Sequence, residues 1–267
     1  MKIEIIGKSE DVAEYFKEIL NEKQPLIIAG PCAVEDFPMM DKITAYLKKM
    51  DVSIIRAGAF KPRTSPDTFQ GLGIEGLKIL DIIRKKYEVK ILSEIVDLKY
   101  LDVMCENVDI LQVGARNMQN FELLKELGKT NMPILLKRGM CATVNEFKCA
   151  AEYIQQGGNK NLMLCERGVR SFDDCTRNLL DLSCVAIIKR ETGLPVLVDI
   201  SHSLGRKDIA TEMSKAALAA GADGIMVEVH NNPDKALSDA NQQMSLLEFE
   251  QFYNKLNLLS ANQGRVW

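Results

Sequence analysis

The chain has 267 residues, 46% hydrophobic and 27% charged, with a formal net charge of −3. That length allows a sizeable core in one large or two small domains, and the slightly acidic balance excludes a general nucleic-acid binder. No apolar run nears the roughly 18 residues of a membrane span, and residues 1–7 are too short and too charged for a signal peptide, so a cytoplasmic protein with no membrane contact is expected. The seven cysteines (Cys32, Cys105, Cys141, Cys149, Cys165, Cys175 and Cys184) are odd in number and include no CxxC pair, which fits reduced thiols rather than a disulfide framework.

Residues 1–25 are read as a short N-terminal strand and helix. After them, β-branched apolar runs recur at 26–29, 52–55, 89–92, 110–113, 133–136, 162–164, 196–198 and 225–227. Each is long enough for a strand and too short for a typical helix. The segments between carry helical periodicity: Leu77, Leu80, Ile83 and Tyr87 share one face, and Ala210, Met213, Ala217 and Ala220 share another. Gly221 stands where a C-terminal glycine would end the second of these. Ser245 and Glu248 form a capping-box pattern opening a last helix with Phe249, Phe252, Tyr253 and Leu256. Strands alternating with helices predict an α/β fold, a (β/α)8 TIM barrel forming a single catalytic domain over 1–267, with 1–25 as an extension and no regulatory domain. An open doubly wound sheet is the alternative, and the even spacing favours closure.

In such a barrel the site lies where the strands end. Gly30-Pro-Cys32 follows the first strand, and Arg56 follows the second, with Lys61, Pro62, Arg63 and Thr64 beyond it. Glu94 follows the third, Ala115-Arg116 the fourth, Lys137-Arg138 the fifth and Glu166-Arg167 the sixth. The seventh leads into Asp199-Ile-Ser-His202, the eighth into Glu228 and His230, and Asp239 lies in the next loop. Segment 56–66 is the most telling, because Gly58, Pro62 and Pro66 restrict the backbone between its cations. Fixed cations suit a small phosphorylated or carboxylated substrate. Arg56, Lys61, Arg63, Arg116, Lys137 and Arg167 would repel one another without bound anions, and two phosphates with a carboxylate would balance them. Strands seven, eight and one are neighbours in a closed barrel and bring Cys32, His202, Glu228 and Asp239 together. That set is either a ligand shell for one divalent transition metal ion (Mn, Fe, Co or Zn) or a buried cysteine among hydrogen-bonded polar groups.

Seven motifs occur in order: Ala29-Gly-Pro-Cys32, segment 56–66, Gly114-Ala-Arg-Asn-Met-Gln-Asn120, Leu136-Lys-Arg-Gly139, Glu166-Arg-Gly168, Asp199-Ile-Ser-His202 and Leu237-Ser-Asp239. With them the chain resembles the 3-deoxy-D-arabino-heptulosonate 7-phosphate (DAHP) synthases, in the short type I subgroup related to 3-deoxy-D-manno-octulosonate 8-phosphate (KDO8P) synthase. The resemblance implies condensation of phosphoenolpyruvate with erythrose 4-phosphate and water, giving DAHP and phosphate, the first step of the shikimate route to aromatic amino acids. It implies that Arg116, Arg167 and the Ala115 backbone hold the phosphoenolpyruvate phosphate, while Arg56, Lys61 and Lys137 address its carboxylate and enol. Lys61, Pro62, Arg63 and Thr64 would hold the aldose phosphate, with Arg63 as the main clamp. The metal would sit on Cys32, His202, Glu228 and Asp239 and polarise the aldehyde. Lys61, Glu94, Lys137 and His202 make up the implied catalytic group. Within it Lys137 is the proton donor, because neighbouring positive charge makes a lysine readier to release its proton, and Glu94 orients the water. A homodimer or homotetramer is implied as well.

The chain departs from the family pattern at Asn231, where proline is usual, and at 240–243, where Ala240 and Gln243 replace a glycine and serine pattern. A positive φ at position 240 would be strained for alanine. His230 is expected on the inward face beside Glu228. The nearest rival is KDO8P synthase with arabinose 5-phosphate, against which Lys-Pro-Arg-Thr at 61–64 argues for the shorter aldose. A catalytically silent barrel acting as a binding protein is the rival from another class.

Overall fold

A computed structural model describes residues 14–20, 24–63 and 65–262. Its parallel strands close a barrel in chain order, as the strand spacing predicts: β1 (Leu26–Gly30), β2 (Ile54–Arg56), β3 (Lys90–Ile95), β4 (Ile110–Val113), β5 (Ile134–Lys137), β6 (Leu162–Glu166), β7 (Val196–Asp199) and β8 (Gly224–Glu228). The ring closes where β1 meets β8, from Leu26 opposite Gly224 to Gly30 opposite Glu228. Ahead of the barrel lies α1 (Glu14–Ile19). Between and after the strands run α2 (Phe37–Lys49), α3 (Ile74–Tyr87), α4 (Leu101–Asn107), α5 (Phe121–Gly128), α6 (Val144–Gln156), α7 (Leu182–Thr192), α8 (Ile200–Leu204), α9 (Ala210–Ala219) and α10 (Leu246–Asn262).

The helix ends follow local chemistry. The Asp36 side chain accepts the Met39 N–H at 2.7 Å and opens α2, and Thr143 with Glu146 forms a full capping box on α6. The box expected at Ser245 is present: Ser245 N–H donates to Glu248 at 2.7 Å, and Glu248 N–H donates to Ser245 Oγ at 3.2 Å. Such caps are each worth about 1 kcal/mol. Leu77, Leu80 and Ile83 are fully buried on α3, as their spacing predicts.

Alternation along the strands divides the barrel into two compartments. Outward residues such as Ile27, Ile55, Leu111, Leu136, Val198 and Val227 pack with the helices in one large cluster. Inward residues, among them Ile28, Ile54, Leu92, Leu135, Leu197 and Met226, form a separate cluster inside the barrel. Because strand side chains alternate with period two, the residue two places beyond each inward apolar group also points inward. Those residues are Gly30, Arg56, Glu94, Lys137, Asp199 and Glu228, so an apolar layer is followed directly by an ionic one.

The predicted runs stop short of this polar layer. Arg56, Lys137, Asp199 and Glu228 are the last residues of their strands, and Glu94 lies within β3 rather than after it. Ladder hydrogen bonds are made by the backbone, so the parallel pairing carries on after the side chains turn polar. Residues 1–13, with the expected N-terminal strand, lie outside the described residues. The helix that follows is α1, and its Phe16, 1% exposed, joins the inward apolar cluster.

Candidate active site

Gly30 makes the turn after β1 possible. Its φ is +148°, and a Cβ there would lie 2.2 Å from the Arg56 carbonyl oxygen. The turn delivers Cys32 to a fully buried position, where its Sγ lies 3.3 Å from Asp239 Oδ2 and 2.9 Å from Ser238 Oγ. Donor atoms of Cys32, Glu228 and Asp239 all lie within 4.8 Å of one another. His202 completes the group, with Nε2 3.6 Å from Glu228 Oε1 and 3.8 Å from Asp239 Oδ2. All four expected metal ligands therefore come together.

Their electrostatics fit a metal ion. His202 Nδ1 lies 2.9 Å from Asp199 Oδ2, which leaves Nε2 facing the other donors. Burial lowers the His202 pKa, against the pull of Asp199 and Glu228, and so favours the neutral imidazole that a metal needs. Burial, with help from Glu228, pushes the Cys32 thiol up to about 12, so a metal would take the place of its proton. Burial alone would raise the Glu228 pKa, but positive charge beside it, on His202 when that ring is protonated and on Arg56 throughout, outweighs burial and lowers it. A thiol, an imidazole and two carboxylates are a suitable set for a borderline-soft divalent ion.

The expected substrate cations divide into two groups. Three already have partners in the protein: Arg56 Nη1 donates to Glu228 at 2.8 Å, Lys61 Nζ to Cys32 Sγ at 3.0 Å, and Lys137 Nζ to Asp199. The argument from six mutually repelling cations therefore overcounts. Lys137 in particular is paired with a carboxylate, which removes the reason for treating it as a lysine stressed by like charge. Arg63, Arg116 and Arg167 have no carboxylate within ion-pair distance among the described residues. Arg63 Nε donates to the Phe69 carbonyl at 3.1 Å, and its buried Nη2 has no partner. Arg167 donates to the carbonyls of Gly168 and His202, and burial lowers its pKa, a mark of a charge short of compensation. Arg116 is exposed at the 3₁₀ turn Ala115–Asn117.

All of these cations line one cleft together with Pro62, Glu94, Ala115, His202 and Asp239. Thr64 lies outside the described residues. Arg138, beside Lys137, points the other way: it is buried outside the barrel wall, where it binds Glu166 at 2.9 Å and Asp181 at 2.8 Å. Glu166 in turn accepts the Gly168 N–H at 2.6 Å, bracing the turn that presents Arg167. His230 does not join the donor set. Its Nδ1 accepts the Asn232 N–H, and its Nε2 lies 3.5 Å from Glu35 on the β1–α2 loop.

Sequence reasoning passed over several residues of the cleft. Asp199 lay in a quoted motif without a role, yet it holds both His202 and Lys137. Gln112, opposite Glu94 across β3 and β4, donates to Glu94 Oε2 at 3.3 Å. Gly114 is needed for space, because a Cβ there would lie 1.9 Å from Glu94 Oε1. Arg177 Nη1 reaches Asp239 at 3.5 Å from the long β6–α7 loop. Strand parity would have found Gln112, two places after the inward Ile110; no signal in the sequence marks Arg177. The departure at Ala240 is resolved as well. The left-handed residue is Asp239 itself, with φ 49°, and Ala240 begins an ordinary 3₁₀ turn.

A closed ring of parallel strands alternating with helices, its cations and its thiol, imidazole and carboxylate groups gathered at the C-terminal mouth, defines a class, the (β/α)8 barrels, which carry their sites at that end. Residues 12–262 match the DAHP synthetase I family. A phospho-2-dehydro-3-deoxyheptonate aldolase from Thermotoga maritima is 47% identical over 238 residues, which cover 89% of this chain and 70% of that protein. A 2-dehydro-3-deoxyphosphooctonate aldolase from Xanthomonas euvesicatoria is 30% identical over 258 residues, covering 89% of this chain and 92% of that one. The crystal structure of the Thermotoga maritima DAHP synthase superposes with a TM-score of 0.88 at 46% identity, covering 91% of this chain and 71% of that one. A truncated form of the Thermotoga maritima enzyme gives 0.84 at 42%, covering 91% and 89%. The chain belongs to the DAHP synthetase I family.

Proposed function

We propose that this chain is a DAHP synthase, condensing phosphoenolpyruvate with erythrose 4-phosphate and water to give DAHP and inorganic phosphate. The observation that carries the reading is the single cleft lined by Arg63, Arg116 and Arg167, which lack carboxylate partners among the described residues, and by His202 and Asp239, behind which Cys32 and Glu228 lie buried. The higher identity to the heptonate than to the octonate relative supports the four-carbon aldose.

In this reading Arg116 and Arg167, with the Ala115 backbone, hold the phosphoenolpyruvate phosphate, and Lys61 and Lys137 address its carboxylate and enol. Arg56 lines the same wall while one of its nitrogens fixes Glu228. Pro62, Arg63 and Thr64 take the aldose phosphate, with Arg63 Nη2 as the free donor. Cys32, His202, Glu228 and Asp239 hold a divalent ion of manganese, iron, cobalt or zinc. Such an ion supplies Lewis-acid polarisation of the aldehyde. C3 of phosphoenolpyruvate then bonds to the aldehyde carbon, and Lys137, steadied by Asp199, gives its proton to the aldehyde oxygen. Glu94, oriented by Gln112, aligns the water that adds at C2, and phosphate leaves by cleavage of the C2–O bond. The described elements act as one catalytic domain, working in the cytoplasm as a homodimer or homotetramer. No described helix is long and apolar enough to cross a membrane.

The deciding experiment is phosphate release with metal-reconstituted protein, comparing erythrose 4-phosphate with arabinose 5-phosphate. Preference for the first is expected. Preference for the second would transfer the chain to KDO8P synthesis, and no release with either would leave a silent barrel.

A further inference from the structure

We propose that the adjacent glutamines Gln242 and Gln243 are positioning residues that set the spacing of the donor set, an inference that rests on the metal reading above. Both are buried, at 4% and 0% exposure. Gln243 bridges two loops that lie 206 residues apart in sequence at Cys32 and Ser238. Its Oε1 accepts the Cys32 N–H at 3.0 Å, and its Nε2 donates to the Ser238 carbonyl at 2.8 Å. The clamp therefore ties the backbone that carries one donor to the residue preceding another. Gln242 does the same for side chains. Its Nε2 donates to Glu228 Oε2 at 2.5 Å, and its Oε1 accepts from Arg177 at 2.6 Å, the arginine that also reaches Asp239.

These contacts require an amide. A carboxylate and a carbonyl only accept, and a guanidinium and a backbone N–H only donate, so each glutamine must offer one donor and one acceptor. Their partners also fix which way each amide faces. The pair is held in place by the residue after it: Met244 N–H donates to the Glu228 carbonyl, and the Met244 carbonyl accepts the His230 N–H, both at 2.8 Å. The segment is thereby stitched to the end of β8, and the two side chains reach back across the donors from there.

The test titrates metal-stripped protein with Co(II), using a competing chelator for affinity and electronic absorption for the thiolate band. Gln243→Ala is expected to weaken Co(II) binding by roughly 10–100-fold, as outer-shell changes do, and to alter the thiolate band. Gln243→Met keeps the volume while removing both hydrogen bonds, so it carries the test if the alanine variant does not fold. Asn159→Ala serves as a structural control. Asn159 is a buried amide bonded to the Leu127 and Met132 carbonyls, away from the donors, and its loss should lower thermal stability without changing Co(II) affinity. Wild-type affinity and spectrum in both Gln243 variants would overturn the proposal, as would equal weakening by Asn159→Ala. Failure of the wild-type protein to take up Co(II) would refute the metal reading itself.

Discussion

Gly114→Ala tests the role of Glu94 without touching it. Gly114 has φ −67°, so alanine fits the backbone, and the conflict is purely one of space. The new Cβ would lie 1.9 Å from Glu94 Oε1 and 2.6 Å from its Cδ. Ordinary contact begins at 3.4 Å, so the carboxylate has to withdraw by about 1.5 Å. That displacement also breaks its contact with Gln112. Because the obstacle is the end of a flexible side chain, the fold should survive with a loss of about 1–3 kcal/mol. Displacing a reacting group by an ångström costs on the order of 10²-fold in rate, and kcat should fall by that much. Phosphate release at saturating substrate and a thermal melt measure the two effects. If the mutation acts through Glu94, then Gly114→Ala combined with Glu94→Gln should be no slower than Glu94→Gln alone. Wild-type kcat in Gly114→Ala, or fully additive losses in the double variant, would refute the reasoning.

Cys32→Ala should leave the barrel folded but unable to retain metal through gel filtration, and full chelator-resistant activity would remove Cys32 from the donor set. Arg63→Ala should raise KM for erythrose 4-phosphate roughly tenfold or more, the equivalent of one charged hydrogen bond of about 1.5–3 kcal/mol. An equal rise for phosphoenolpyruvate would dissolve the division of the cations. Arg138→Met strands Glu166 as a buried charge and should cost about 3–5 kcal/mol in denaturant unfolding, partly restored by adding Glu166→Gln. Phe16→Ala should cost roughly 3–5 kcal/mol, and a loss under about 1 kcal/mol would mean that α1 does not close the barrel.

The barrel was legible because its apolar runs are short and evenly spaced, and its charges were legible because they cluster where those runs stop. What the charges touch was not. Arg56 meets Glu228, Lys61 meets Cys32 and Lys137 meets Asp199 across strands far apart in sequence, so cations that look bare in the sequence are partnered in space. Arg138 and Lys137 are adjacent and alike in the sequence, and only strand parity separates a cleft residue from one buried behind the wall. Gln112, Gln242 and Gln243 carry no charge and drew little notice, although the amides are what join the donors. The suspicion attached to Ala240 failed because the left-handed conformation falls on Asp239, one residue earlier.

Phe16 and the apolar layer above it have a consequence for traffic. Among the described residues, Phe16 and the inward apolar cluster floor the barrel at its N-terminal end, so the cleft is approached from the mouth. Lys137 and Arg167 are 4% exposed, whereas Arg63 is half-buried and Arg116 exposed. In the proposed assignment phosphoenolpyruvate reaches down to this inner pair and the aldose phosphate stays outside it at Arg63, so phosphoenolpyruvate is expected to enter first. That order of entry would follow from the depth of the side chains alone.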